Sequence, residues 1–117
     1  METINYEGKN YKIFDVTTDY CKDRVICVPL QYGNKTLAIR MLCVEDNQVT
    51  APFATLTVNL CQPSYQNDTD AFVDTNNNPF AEEFIEKNKI GMSLDLVGSS
   101  GYCLYPLYRF NLEALTV

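Results

Sequence analysis

The 117-residue sequence contains no histidine. Histidine is the most frequent general base in enzymes and the most frequent metal ligand, so its absence removes the commonest route to either kind of site. The cysteines also lack the spacing of zinc ligands, because no two of them are separated by only two to four residues. The segment Gly98–Gly101 lacks the lysine that follows a phosphate-binding loop.

Carboxylates are the remaining candidates for chemistry. Residues 68–78 resemble a calcium-binding loop in composition, but they lack the glycine and the terminal bidentate glutamate of that motif. The glutamates at positions 82, 83 and 86 fall near the expected start of a helix, where the helix dipole favours negative charge without any catalytic role. We therefore predict that the protein is not an enzyme and has no metal or other cofactor.

The sequence also lacks a stretch of about 20 apolar residues that could span a membrane. Its first residues lack the basic and apolar sections of a secretory signal. The number of cysteines is odd, which is unusual for a disulfide framework and favours a reducing compartment; they are Cys21, Cys27, Cys43, Cys61 and Cys103. We expect these thiols to be structural, and the length fits a single domain over residues 1–117.

Positive charge is scarce, with nine Lys and Arg against fifteen Asp and Glu and a net charge of −6. This balance disfavours direct binding to nucleic acid, which depends on cations that neutralise phosphates. It favours either plain solubility or a basic partner, and composition leaves both interpretations open.

The pattern along the chain predicts an α+β fold, with a single antiparallel β-sheet and one main α-helix at about residues 79–90 packed on it. A hairpin is expected around Gly8, followed by a polar loop or helical turn from Asp15 to Arg24. Two central strands, Thr36–Val44 and Phe53–Leu60, are expected to pair through a loop at Gln48–Pro52.

The second half of the chain predicts a surface loop over residues 61–70 and a short strand at Ala71–Asp74. The helix follows, with Asn78 as its cap and Pro79 in its first position. A flexible break at Gly98–Gly101 and an extended segment interrupted at Pro106 complete the pattern, with a last helical turn near residues 111–115.

Acidic and amide residues concentrate before and within the expected helix. The candidates for partner binding are Asp68, Asp70, Asp74, Asn76, Asn77, Glu82, Glu83 and Glu86. Carboxylates two residues apart on a strand are separated by about 6.6 Å, which is similar to the spacing of successive phosphates on an extended nucleic acid. These residues therefore predict either a nucleic-acid mimic that enters a basic groove or an ordinary solvated surface.

Six short segments carry a resemblance: Leu37–Ile39, Ala54–Leu60, Phe72–Asn77, Glu83–Ile85, Ser100–Cys103 and Tyr105–Phe110. Their most specific pieces are Asp-Thr-Asn-Asn and Tyr-Pro-Leu-Tyr. Over roughly residues 35–113, the chain resembles a family of short uncharacterised domains that are carried by phages and conjugative elements of Gram-positive bacteria.

The resemblance implies a mobile-element protein that disarms host defence, similar to anti-CRISPR proteins directed at the RNA-guided DNA nuclease of type II systems. It implies that nuclease as the partner, alone or with its guide RNA, in the bacterial cytoplasm and without direct binding to nucleic acid or membrane. An acidic inhibitor would compete with guide RNA or target DNA for the positively charged channels of the nuclease. The alternative is an accessory protein-binding module of a mobile element, with another defence or conjugation partner.

Overall fold

The computed structural model describes residues 2–19, 22–60 and 67–117 of the chain. In these ranges the protein forms ten β-strands, one short α-helix and one 3₁₀ helix. The strands make three separate antiparallel sheets. The predicted α+β fold with a single sheet and a main helix is therefore wrong, because several polar segments that were expected to be loops are half-exposed strands.

The smallest sheet is an N-terminal hairpin of β1 (Thr3–Tyr6) and β2 (Lys9–Lys12). Its two-residue turn has positive φ at both Glu7 (51°) and Gly8 (85°), as a type I′ turn requires. The predicted hairpin around Gly8 is confirmed. It packs Tyr11 and its neighbours against the outer face of the next sheet.

Sheet I contains four strands in the order β3-β4-β5-β6. They are β3 (Phe14–Thr17), β4 (Lys22–Gln31), β5 (Leu37–Glu45) and β6 (Gln48–Thr55). The predicted loop from Asp15 to Arg24 is therefore wrong where the structure describes it, since it includes most of β3 and the start of β4. The predicted loop at Gln48–Pro52 is also wrong, because the turn lies at Asp46 and Asn47, both with positive φ.

Sheet II contains four strands in the order β7-β8-β10-β9. They are β7 (Thr57–Val58), β8 (Asp70–Val73), β9 (Gly91–Ser100) and β10 (Cys103–Phe110). The predicted strand at Ala71–Asp74 largely matches β8. The predicted loop over residues 61–70 lies outside the described residues as far as position 66.

The predicted flexible break at Gly98–Gly101 is wrong. Residues 98–100 continue β9, and the two-residue turn lies between Ser100 and Cys103. A Cβ atom at Gly98 would lie 2.7 Å from a carbon of the Phe72 ring, so the glycine allows β9 to pass close over that ring.

The predicted strand Phe53–Leu60 is divided between the two larger sheets. Leu56 lies at the crossing point and is fully buried. Its N–H donates to the carbonyl of Ile39 in sheet I, and its carbonyl accepts from the N–H of Asp74 beside sheet II. The chain therefore leaves sheet I at Thr55 and enters sheet II at Thr57.

The main core lies between the inner faces of the two larger sheets, with α1 (Ala81–Lys87) and the 3₁₀ helix (Leu112–Leu115) closing it. The predicted helix at about 79–90 was too long, although the predicted last turn is confirmed. Asn78 does not cap α1, because its amide donates to the carbonyl of Thr55 at 2.8 Å. Among the described residues, no helix is long and apolar enough to cross a membrane.

Candidate interaction surface

Helix α1 separates its apolar and acidic residues cleanly. Ala81, Phe84 and Ile85 are buried, whereas the three glutamates Glu82, Glu83 and Glu86 are exposed. No side chain caps the helix, so the glutamates of its first turn offset the unpaired N–H groups electrostatically. The three glutamates that the sequence singled out on this helix therefore face solvent together.

Asp15 extends this charge beyond the helix. It is exposed on β3 and borders a hollow of about 60 Å³ together with Thr17, Glu83 and Lys87. The sequence analysis missed Asp15 because it predicts a loop for this segment. The alternation of Phe14 and Val16 with polar residues is the signal that indicates a strand. We call Asp15, Glu82, Glu83 and Glu86 the acidic face.

A buried tyrosine, Tyr108, forms a hydrogen bond to one glutamate of the acidic face. The hydroxyl of Tyr108 donates to Oε1 of Glu82 at 3.0 Å, while its ring is 1% exposed. Burial raises the pKa of Tyr108 well above its usual value, and the nearby charges of Glu82 and Glu86 raise it further. The phenol therefore stays protonated and keeps its hydrogen bond over the whole physiological range.

This raised pKa predicts a pH dependence of stability. Tyr108 has a higher pKa in the folded chain than in the unfolded chain, so its contribution is complete below about pH 10, the usual tyrosine pKa, and is lost as pH rises above it. We expect Tyr108→Phe to lower the free energy of unfolding by about 1 kcal/mol at pH 8. Urea unfolding at pH 8 and pH 11 should show that the gap between parent and variant narrows at the higher pH. A difference in unfolding free energy that is the same at both pH values would contradict this prediction.

Asp70 lies elsewhere and is already paired. It is 3% exposed on β8, and it accepts from Nε of Arg109 at 2.8 Å and from Nη2 at 3.1 Å. Two parallel bonds of this kind match the planar guanidinium to the carboxylate. Asp70 also raises the pKa of Arg109. The structure therefore uses Asp70 inside the protein, not on its surface.

Asp74 is also internal. It is 9% exposed and accepts from the backbone N–H of Asn77 at 3.2 Å and from the Asn77 side-chain amide at 2.9 Å. These bonds close the turn that leads into α1. Asn76 and Asn77 are exposed, but Asn77 already uses its amide in this turn.

Asp68 is exposed in the turn before β8, next to Thr69. Thr69 borders an open groove of about 620 Å³, which is also lined by Glu86, Lys89 and Arg109. Of the eight predicted residues, the structure thus brings the three glutamates together on α1, whereas Asp68, Asn76 and Asn77 are exposed outside this helix. Asp70 and Asp74 serve the fold.

The cysteines and carboxylates show no cluster of chemical interest in the described ranges, where no three of them come together in a way that could hold a metal ion. Cys27 is fully buried, and burial raises its thiol pKa to about 12. Cys43 and Cys103 are half-buried and form no disulfide. Cys21 and Cys61 lie outside the described residues.

Residues 27–116 match the family described as domain of unknown function DUF4313, and the chain belongs to this family. The match begins within β4, so the N-terminal hairpin and β3 lie outside it. The comparisons with curated proteins and with solved structures gave no match.

Proposed function

We propose that this protein acts by binding, one to one, a basic surface on another macromolecule through its acidic face. The observation that carries the proposal is the exposure of Glu82, Glu83 and Glu86 on one side of a helix whose other side is buried. Asp15 adds a fourth carboxylate from a neighbouring strand, and Lys87 is the nearby cation at that hollow. Carboxylates arranged in this way attract a cationic groove at a distance and fix its orientation on contact.

The proposed contact set is smaller than the one predicted from the sequence. Asp70 and Asp74 are left out because their side chains are buried and hydrogen-bonded within the protein. Asp68, Asn76 and Asn77 lie outside the acidic face but remain exposed. Their contribution to binding is expected to be secondary.

The resemblance to anti-CRISPR proteins supplies a specific partner. We propose that the acidic face blocks a positively charged channel of the RNA-guided DNA nuclease of a type II CRISPR system, and that it does so in the bacterial cytoplasm. Guide RNA and target DNA occupy such channels through their phosphates, so an array of carboxylates would compete for the same positive charges. Membership of the DUF4313 family neither supports nor opposes the nuclease as the partner.

Charge reversal of Glu83 and Glu86 tests the proposal. Both side chains are exposed, and neither has an ion pair with another described residue within 4.0 Å. Glu82 is kept because it accepts the Tyr108 hydroxyl. We expect Glu83→Lys/Glu86→Lys to weaken inhibition of the nuclease by about tenfold or more, since reversed charges repel a basic groove.

The matched control reverses two exposed glutamates elsewhere, Glu45→Lys/Glu113→Lys, and changes the net charge equally. Titration of purified nuclease, with and without guide RNA, gives the inhibitory stoichiometry and its dependence on salt. Equal inhibition by both double variants would exclude the acidic face as the binding site. Inhibition at a small fraction of the nuclease concentration would instead indicate an enzyme.

An accessory protein-binding module with a different partner is the alternative. The acidic face suits that function equally well, because it defines the charge of the partner and not its identity. Parent protein and the Glu83→Lys/Glu86→Lys variant should be used side by side to capture partners from host cells that carry a type II system. A partner other than the nuclease, captured by the parent alone, would support the alternative.

A further inference from the structure

The N-terminal hairpin covers only part of the outer face of sheet I. Under the hairpin, Ile26 and Val44 are buried together with Tyr11. At the turn of the hairpin, an open groove of about 390 Å³ continues over the same sheet. A groove of this size lies within the range of about 300–1,000 Å³ that is typical of small-molecule sites.

The lining of this groove is mainly apolar. Three strands of sheet I contribute the apolar residues, which are Val28, Leu30, Leu42, Val49, Ala51 and Pro52. Tyr6 and Glu7 of the hairpin also line it. Leu30 is 46% exposed, so part of this apolar surface is open to solvent. An apolar lining with a few polar groups is the usual composition of a ligand site, because the polar groups fix the orientation of the ligand.

Arg40 brings a positive charge into the groove. It is exposed and lies on β5, between Val28 of β4 and Thr55 of β6. Residues two apart on a strand point to the same face, so Arg40 shares the outer face of sheet I with Leu42. Its guanidinium is therefore placed beside apolar side chains.

Arg40 differs from the other two arginines of the chain in its lack of a carboxylate partner. Arg24 pairs with Glu2, and Arg109 pairs with Asp70. Among the residues that the structure describes, no carboxylate lies within 4.0 Å of the Arg40 guanidinium. The guanidinium therefore keeps N–H donors for an anion that enters the groove.

The local charge favours an anion, although the protein as a whole is acidic. Arg40 and Glu7 line the groove with opposite charges. Lys9 is paired with Tyr6 in the hairpin register, so the two side chains lie on the same face of the hairpin. Two cations near one carboxylate leave an excess of positive charge at this end of the hairpin.

We propose that the groove binds a small monocarboxylate with an apolar chain. The carboxylate would accept two parallel N–H bonds from Arg40, which is the geometry that the planar guanidinium favours. The apolar chain would lie against Val28, Leu30 and Leu42. Both parts of the ligand are needed, because an exposed ion pair alone contributes little in water. No residue of the groove belongs to the acidic face, so this inference does not depend on the proposed function.

Octanoate is the probe, and two-dimensional NMR of the nitrogen-labelled protein is the measurement. We expect saturable shifts of the amides of Leu30, Val49 and Thr50, with a dissociation constant on the order of 1 mM. Butanoate should bind about tenfold more weakly, because its shorter chain buries fewer methylene groups. Octanol and octylamine should also bind more weakly than octanoate, since neither carries a negative charge.

Two variants separate the contributions of charge and apolar contact. Arg40→Gln should weaken octanoate binding by about fivefold and remove most of the preference over octanol. Leu30→Ala should weaken octanoate binding by about threefold and leave butanoate binding nearly unchanged. Lys22→Gln is the matched control for charge, because it also removes one exposed cation from sheet I but does not line the groove.

Absence of saturable shifts up to about 10 mM octanoate would overturn the inference. Arg40 would then serve only to cover the apolar surface of Val28 and Leu42 with its side-chain stem. Equal binding of octanol and octanoate would also overturn it, as would an Arg40→Gln variant that is folded by circular dichroism and binds octanoate like the parent. Tighter binding of octylamine would assign the groove to a cation held by Glu7 and would exclude the carboxylate.

Discussion

Replacing Phe84 by alanine is expected to lower the free energy of unfolding by about 3–5 kcal/mol. Phe84 is 5% exposed, and its ring packs edge-on against Phe14 and Phe80, with centroids 5.9 and 6.4 Å away. Helix α1 has only seven residues and no side-chain cap. An isolated helix of that length is unstable in water, so its packing holds it in place.

Urea unfolding followed by circular dichroism measures this loss. Met92→Ala is the matched control: it also shortens a large apolar side chain, but Met92 is 62% exposed, so we expect a change within about 0.5 kcal/mol. In Phe84→Ala, partner binding should fall together with stability because α1 presents the acidic face. A Phe84→Ala protein within 1 kcal/mol of the parent would show that α1 is held by something other than this ring.

The turn of the N-terminal hairpin could be predicted from the sequence. Gly8 lies in a two-residue turn whose positive φ angles few residues other than glycine adopt easily, so the hairpin around it could be predicted from a few neighbouring residues. The strand at β8 was similarly visible as a short apolar run. In both cases the residues that decide the structure are adjacent in the chain.

The division of the strands between sheet I and sheet II could not be predicted from the sequence. The alternation of residues 53–60 is the same whether the segment stays in one sheet or crosses to another. The crossing at Leu56 depends on hydrogen bonds to Ile39 and Asp74, which are distant in sequence. The length of α1 was overestimated for a related reason, because the amide of Asn78 bonds to Thr55 instead of capping the helix.

The candidate site was predicted in part. Glu82, Glu83 and Glu86 could be assigned to one helix from their spacing and from the apolar stripe between them. Asp15 could not, because it joins them only through the packing of β3 against α1. Asp70 looked like an exposed carboxylate because its partner, Arg109, lies 39 residues further along the chain. Counting carboxylates along the sequence therefore overestimated how many of them are exposed on the surface.

The pairing of Asp70 with Arg109 leads to the second large effect. Arg109→Met should lower the free energy of unfolding by about 3 kcal/mol, the lower end of the range for breaking a buried ion pair. The Asp70 side chain is 4% exposed and would lose its guanidinium in a poorly hydrated position. We expect a loss of unfolding free energy at the lower end of this range because the Arg109 side chain is half-exposed, so water can enter the vacated space and hydrate Asp70.

A double-mutant cycle separates the ion pair from the loss of the arginine side chain itself. Asp70→Asn/Arg109→Met removes the buried charge, so we expect it to recover about half of the loss, with a coupling energy of about 1–2 kcal/mol by urea unfolding. If Arg109→Met unfolds like the parent, the pair contributes nothing to the fold.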